Sequence, residues 1–403
     1  MSDTVPMLAT VSAVRVGVAE RRARLAVRHH LAPSSRAADV LDMVRDLIGL
    51  HATDPASVYL GAWARLRDRR VSALDAALYD DRTLVRILGM RRTMFVLPTE
   101  LAPVVLAACT KAIAAVERRK TVQFLSEAGF ADDVPTWLQE VEASTIAALR
   151  ARGEALSTEL SADVPDLAQQ MVLARGKSYE GKQSVATRVL PLLAADGRVV
   201  RGRPRGSWLS TQYRWSLTED WLPGGLAELP VEASRVDLAR RWLRAFGPAP
   251  VNDLKWWSGW TLGQTRAALR EVRPVEVDLD GVPGIALAGD VEPTPVPEPH
   301  ALLLPPLDPS VMGWSAREWF LCGHDKALFD TNGNAGPTVW WDGRIVGGWG
   351  QRSDGEIAYR LLDDVGGEAK AAVEAVAAEL REWLGPVRVR SKFRTPLERE
   401  LTA

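Results

Sequence analysis

One order of elements occurs three times along this chain, and it limits the possible folds more than any other feature. After Ser35, which reads as a helix N-cap, Val40, Leu41, Val44, Leu47 and Ile48 keep helical spacing. Asp54 and Pro55 read as the N-cap and first residue of a second helix, with Ala56, Tyr59, Leu60, Trp63 and Leu66 on one face. A shorter helix runs through Val71 to Tyr79, and TLVRILGMRRTMFVLP then holds two short apolar runs about Gly89, a hairpin. Residues 156–217 repeat the order with a short helix after Ser157, a helix in SVATRVLPLLAADG, and the hairpin RVVRGRPRGSWL…YRWSL. Residues 231–287 give it again as VEASRVDLARRWLRAF, VNDLKWWSGW, TLGQTRAALREV and two short strands about Asp280-Gly281. Helices followed by a hairpin are the winged-helix order. The pattern predicts an α+β chain with three tandem winged-helix units at 18–98, 151–222 and 231–290. Residues 99–150 read as a pair of longer connecting helices.

Proline clusters in VEPTPVPEPH, residues 291–300, and periodicity stops there, which marks a domain boundary. Beyond it ALLLPPLDP, TVWWDGRIVGGWGQR and EIAYRLL read as strands separated by turns. A small β-rich domain is expected over 298–403, with an amphipathic C-terminal helix over 367–384. FDTNGNAG, residues 329–336, superficially resembles a calcium loop, but Gly is missing from the sixth position and Trp341 stands at the twelfth, so a turn is expected.

The net charge of −1 argues against an indiscriminate polyanion binder, yet the arginines are clustered. No acid interrupts Arg82, Arg86, Arg91 and Arg92 in residues 82–98, or Arg198, Arg201, Arg203, Arg205 and Arg214 in residues 197–217. Arg388, Arg390, Lys392 and Arg394 form a third such group. Two of the three fall on hairpins, and arginine makes bidentate phosphate contacts. Arg91, Arg92, Arg201, Arg203, Arg205 and Arg214 are therefore the candidate contacts to double-stranded DNA. Of fifteen tryptophans, Trp208 and Trp215 lie among the second hairpin's arginines and are the stacking candidates. The pairs Trp256-Trp257 and Trp340-Trp341 read as core.

Cys109 and Cys322 lie far apart and share no ligand spacing with the five histidines. That predicts a reduced, cytoplasmic setting with neither a metal nor another cofactor. The sequence shows no run of 18 apolar residues, so no membrane partner is expected, and no charged leader before the apolar N-terminal stretch. No segment reads as a dimerisation helix, and a monomer is expected.

The stretch LHATDP admits two readings. In one, Thr53 or Asp54 caps a helix that Pro55 begins, and His51 only packs. In the other, His51, Thr53 and Asp54 cluster at a helix start to position a water and hold charge.

LIGLHATDPASVYLGAWARL, RTLVRILGMRRTMFVLP, FGPAPVNDLKWWSGW, LLLPPLDPSVMGW and LFDTNGNAGPTVWWDGRIVGGWGQR occur in order between about residues 18 and 390. Together they resemble the winged-helix DNA-binding family that includes the azinomycin-resistance and interstrand-crosslink DNA glycosylases. The resemblance implies three winged helices and a β-barrel-like domain around a DNA channel. It further implies metal-free hydrolysis of N-glycosidic bonds to alkylated purines, bulky or crosslinked. Characterised members carry Gln-x-Gln or Gln-x-Asp where this chain has His51-Ala52-Thr53. On that mapping His51 accepts a proton from water, Thr53 hydrogen-bonds that water, and the adjacent Asp54 stabilises the sugar cation. No lysine lies near the loop in sequence, so a monofunctional enzyme without a Schiff-base step is expected. The alternative is a non-catalytic DNA-binding protein, either a transcription regulator or a lesion-shielding factor.

Overall fold

Short polar residues set where the helices begin. In the computed structural model, which describes residues 14–173 and 180–403, the Asp39 carboxylate accepts from the Asp42 amide at 3.0 Å and opens helix Val40–Asp46. Asp39, not Ser35, is thus the cap. Ser35 lies in the 3₁₀ turn Pro33–Ser35, where its hydroxyl donates to the carbonyls of Ala26 and Ala32. Asp54 and Pro55 stand at the cap and first position of helix Pro55–Arg65, as the sequence predicts. That helix is buried on every side rather than along one stripe. Its small residues Ala56, Gly61, Ala62 and Ala64 let neighbouring elements close over it.

The first set runs helix Val40–Asp46, strand Leu50–His51, helix Pro55–Arg65, helix Val71–Asp75 and hairpin Leu84–Leu88 with Met94–Pro98. Strand Leu50–His51 pairs with the hairpin's second strand, Leu50 opposite Val96 and His51 opposite Phe95. Gly49 makes this approach possible, because at φ 156° a Cβ there would stand 2.9 Å from the Val96 carbonyl oxygen.

The second set repeats the plan. Helix Val134–Arg152, strand Glu154–Ala155, helix Ser157–Asp163 and helix Ala186–Ala195 precede hairpin Val199–Pro204 with Tyr213–Leu217. Again the short strand pairs with the hairpin's second strand. An extra pair of strands, Gln170–Leu173 and Gly181–Ser184, is inserted before the last helix. Helix Val134–Arg152 shares Val134, Leu138, Val141 and Leu149 with the core under this hairpin. It belongs to the second set and does not merely connect.

In the third set, helices Val231–Phe246, Val251–Ser258 and Leu262–Val272 lead to hairpin Val275–Leu279 with Val282–Ala286. The short strand shrinks to one bridge, Ala249 to Ile285, and Val14–Arg15 joins the opposite edge in parallel.

Residues 291–300 carry no regular structure. After them Ala301–Leu304, Thr338–Trp341, Arg344–Gln351 and Ile357–Leu361 form a four-stranded antiparallel meander in chain order, with helix Gly366–Leu384 packed on it. Its outer strands remain edges among the described residues, so the expected barrel-like closure is absent. In place of a calcium loop, the Asp330 carboxylate accepts from the amides of Asn332 and Asn334, a turn.

The first and third sets and the meander share one hydrophobic core, while the second set has its own. One helical stretch, Thr99–Glu127, is long and apolar enough to cross a membrane by length and composition, contrary to the sequence expectation. More than half of its apolar window is buried within the protein, where Leu101, Val105 and Cys109 join the main core. The residues up to Ala13, on which the leader expectation rests, lie outside the described residues.

Candidate active site and nucleic-acid interface

A cleft of about 500 Å³ opens where the two cores meet. Ala52, Thr53 and Pro55 form one side, at the start of the buried helix. Arg201, Arg205, Tyr213 and Trp215 of the second hairpin form the other, and Lys392 reaches in from the C-terminal segment.

Thr53 is the member of the predicted triad that faces this space. Its Oγ1 accepts from the Met94 amide at 3.3 Å, which leaves its hydrogen and a second lone pair for a molecule in the cleft. His51 stands behind it, 4 % exposed, its ring 5.2 Å from that of Phe95 and its Nδ1 buried without a partner. Burial, and next the charge of Arg91, push its pKa down to about 3, so the ring is neutral at physiological pH.

Asp54 is also 4 % exposed and outside the cleft wall. One oxygen accepts from the Ala56 amide at 3.1 Å, the helix cap. The other accepts from the Lys392 amide at 2.9 Å. Burial raises its pKa against the pull of those two hydrogen bonds. The carboxylate thus caps the helix with one oxygen and anchors the C-terminal segment beside the cleft with the other. The triad is adjacent in space, but only Thr53 lines the cavity. What the sequence did not reveal is the place of Lys392: it belongs to the third basic group, far from the loop in sequence, yet it borders the loop in space, its ammonium 5.6 Å over the Phe393 ring.

The acid-free arginine clusters are mostly not acid-free in three dimensions. Arg203 meets Asp80 at 2.7 Å and Asp75 at 3.8 Å, and Arg92 meets Glu117 at 2.7 Å. Arg214 lies 3.5 Å from Glu154 and 3.8 Å from Glu159. Arg91 stacks on Trp256 at 3.8 Å. Trp208, expected to stack on bases, packs instead between Tyr59 at 4.8 Å and Trp383 at 6.1 Å. Trp215 is buried beneath Arg201 at 5.1 Å. Arg201 and Arg205 alone of the six candidates both line the cleft and, among the described residues, have no ion pair. Substituting both by Gln should flatten the dependence of duplex affinity on salt by about 1.8 logarithmic units per decade, at roughly 0.9 per phosphate contact. Fluorescence anisotropy across a salt series reads this slope, and the neutralised pair Arg203 and Arg214, replaced likewise, should change it by less than half as much.

The family described as DNA glycosylase AlkZ-like matches residues 44–383, a span that contains the cleft residues of both cores. The chain belongs to that family. The solved structure of the Streptomyces sahachiroi DNA glycosylase AlkZ is similar in fold, with a TM-score of 0.71 and 21 % identity over 93 % of this chain and 99 % of that one. No curated protein sequence matches the chain. Among the described residues of this AlkZ-like protein, no three His, Cys, Asp or Glu side chains are grouped to hold a metal ion.

Two buried neutral histidines give the chain a specific response to acid. His29 bonds the Ser310 hydroxyl at 2.8 Å and the Ala245 carbonyl at 3.1 Å, and burial followed by the charge of Arg65 holds its pKa well below the ordinary value. His51 behaves alike. Unfolded, both take up a proton near pH 6.5, so below that pH the unfolded state binds more protons and stability falls. The loss begins as pH drops through about 6.5 and approaches roughly 2.7 kcal/mol per pH unit for two groups. Asp54, Glu142 and Glu398, whose pKa values burial raises, act in the opposite sense but only nearer the carboxylate range. The urea midpoint is expected to be level between about pH 7 and 8 and to fall between pH 6.5 and 5; a level midpoint from pH 8 to 5 contradicts neutral burial of the pair.

Proposed function

We propose that this chain is a DNA glycosylase that hydrolyses the N-glycosidic bond of alkylated purines, including bulky or crosslinked ones, in double-stranded DNA. In this reading the three recurrent sets are winged-helix units, 18–98, 151–222 and 231–290, with the β-rich domain from 298. The protein works as a cytoplasmic monomer without a cofactor. The observation that carries the reading is the cleft itself: the family motif position Thr53 faces Arg201 and Arg205, two cations without an ion pair among the described residues.

An N-alkylated purine is already cationic and is a good leaving group. The enzyme has to steady an oxocarbenium-like sugar and orient one water. The Thr53 hydroxyl, already holding the Met94 amide, has the free lone pair and hydrogen that such a water needs. The Asp54 carboxylate, held by two amides one residue further on, supplies negative potential toward the sugar. Neutral His51 lies behind Thr53 and outside the cleft wall, so it takes the water's proton only by relay through the Thr53 hydroxyl, as a weak base whose pKa burial holds near 3. That two of these three residues differ in kind from the glutamines of characterised relatives makes the active assay decisive.

The test is incubation with a duplex carrying N7-methylguanine, followed by chromatography of the released base and alkaline cleavage at the resulting abasic site. Release above the spontaneous rate supports the glycosylase. Tight binding with no release assigns the chain to the alternative class, a DNA-binding protein that shields or regulates.

A further inference from the structure

Behind the cleft lies a second cavity of about 270 Å³, between the first hairpin, helix Lys111–Glu127, helix Ala186–Ala195 and the second hairpin. Arg86, Arg92, Arg188 and Arg201 stand in its wall against a single carboxylate, Glu117. That carboxylate is already occupied by Arg92 and Lys120. Leu88, Met94, Pro191 and Leu192 supply an apolar floor.

Arg86 sets the problem. It is 3 % exposed, its Nη1 donates to the Tyr79 hydroxyl at 3.2 Å, and its Nε is buried with no partner among the described residues. No carboxylate pairs with it among the described residues. Its guanidinium lies 4.6 Å from the centre of the Tyr213 ring, and that of Arg201 lies 5.7 Å from the same ring. A guanidinium keeps its charge at any accessible pH, and a buried charge without a counter-ion is strongly unfavourable. An aromatic face returns only about 0.5–2 kcal/mol of that.

We propose that this cavity is a phosphate site in which Arg86 and Arg201 together hold the anion, and that the phosphate belongs to the DNA strand whose base enters the cleft. Guanidinium forks suit phosphate oxygens, and the apolar floor suits the attached sugar. The strand is the source because Arg201, Thr187 and Pro191 line both cavities, so the two spaces share one wall. The choice of strand rests on the glycosylase reading, whereas the phosphate chemistry does not.

Thermal unfolding of the full chain in inorganic phosphate, against chloride at matched ionic strength, tests the site without any DNA. Phosphate is expected to raise the midpoint in a saturable way, as a ligand that binds only the folded state does. Arg86→Gln and Arg201→Gln should each abolish the rise, and Arg70→Gln, an exposed arginine that pairs with Asp68 and lines neither cavity, should retain it. No rise over chloride in the wild type, or a rise that survives in Arg86→Gln and Arg201→Gln, overturns the site. If Arg86→Gln does not fold, Arg201→Gln decides the matter by the same criterion. A phosphorus NMR titration then identifies the source: added undamaged duplex should displace the bound phosphate and restore its sharp line. Phosphate and duplex held at once would overturn the strand assignment in favour of a free phosphate-bearing compound.

Discussion

Asp308→Ala is expected to destabilise the protein by about 3–5 kcal/mol, the usual effect of leaving a buried charge without its partner. Arg65, near the end of the buried helix Pro55–Arg65, and Asp308, after the first strand of the meander, are each 0 % exposed at the side chain. Two parallel bonds of 2.8 and 2.6 Å join guanidinium to carboxylate. The remaining donors go to the carbonyls of His29 at 3.0 Å and Gly61 at 2.9 Å and to the Ser310 hydroxyl at 2.8 Å. Every guanidinium hydrogen is thereby used, so nothing else can take over when the carboxylate is removed. Asp308 also caps helix Pro309–Met312 through the Ser310 amide, which adds to the loss. Equilibrium urea unfolding reads the effect, and the double variant Arg65→Met/Asp308→Leu should recover most of it, since two apolar residues leave no unpaired charge. A loss below roughly 1 kcal/mol in Asp308→Ala would mean that water replaces the carboxylate and that the domains are not locked here.

What the sequence revealed and what it hid divide along a physical line. Asp54-Pro55 marks a helix start through its own backbone chemistry, so the signal is local, and the three hairpins announce themselves by short apolar runs about turns. The cap of the first helix was misplaced, because Ser35 and Asp39 are equally good capping residues by type, and only the Asp42 amide on Asp39 and the Ala26 and Ala32 carbonyls on Ser35 decide between them. Charge was misread for a different reason. Arg203 finds Asp80 across 123 positions and Asp308 finds Arg65 across 243, and no window of neighbouring residues contains such pairs. Trp208 looked exposed because its sequence neighbours are arginines, while the side chains that cover it, Tyr59 and Trp383, arrive from both ends of the chain. The C-terminal basic group was visible, but its place beside LHATDP depends on one hydrogen bond from the Lys392 amide to Asp54.

Thr53→Val and His51→Ala are each expected to slow base release on the order of 10²-fold or more, the scale of a lost water-orienting hydroxyl or general base. Val keeps the shape of Thr53 and removes the hydroxyl that faces the cleft, together with the 3.3 Å bond it accepts from the Met94 amide. His51→Ala also empties a packed position beside Phe95, so its rate belongs well below its own unfolding transition. Duplex affinity should stay nearly unchanged in both, because the free arginines stand on the opposite wall. Since His51 stays neutral down to about pH 3, release by the folded wild type should show no acid limb near 6.5. Asp54→Asn is read against its two amide bonds: slower release at unchanged stability marks the carboxylate as charge-holding, and about 1 kcal/mol of lost stability with full activity marks it as a cap alone.

Single-turnover release of N7-methylguanine from duplex DNA, with affinity measured on the same duplex, tests the glycosylase assignment most directly. Release well above the spontaneous rate is expected in the wild type, and about 10²-fold less in Thr53→Val at equal affinity. Wild-type protein that holds the duplex and releases no base beyond the spontaneous rate would contradict it.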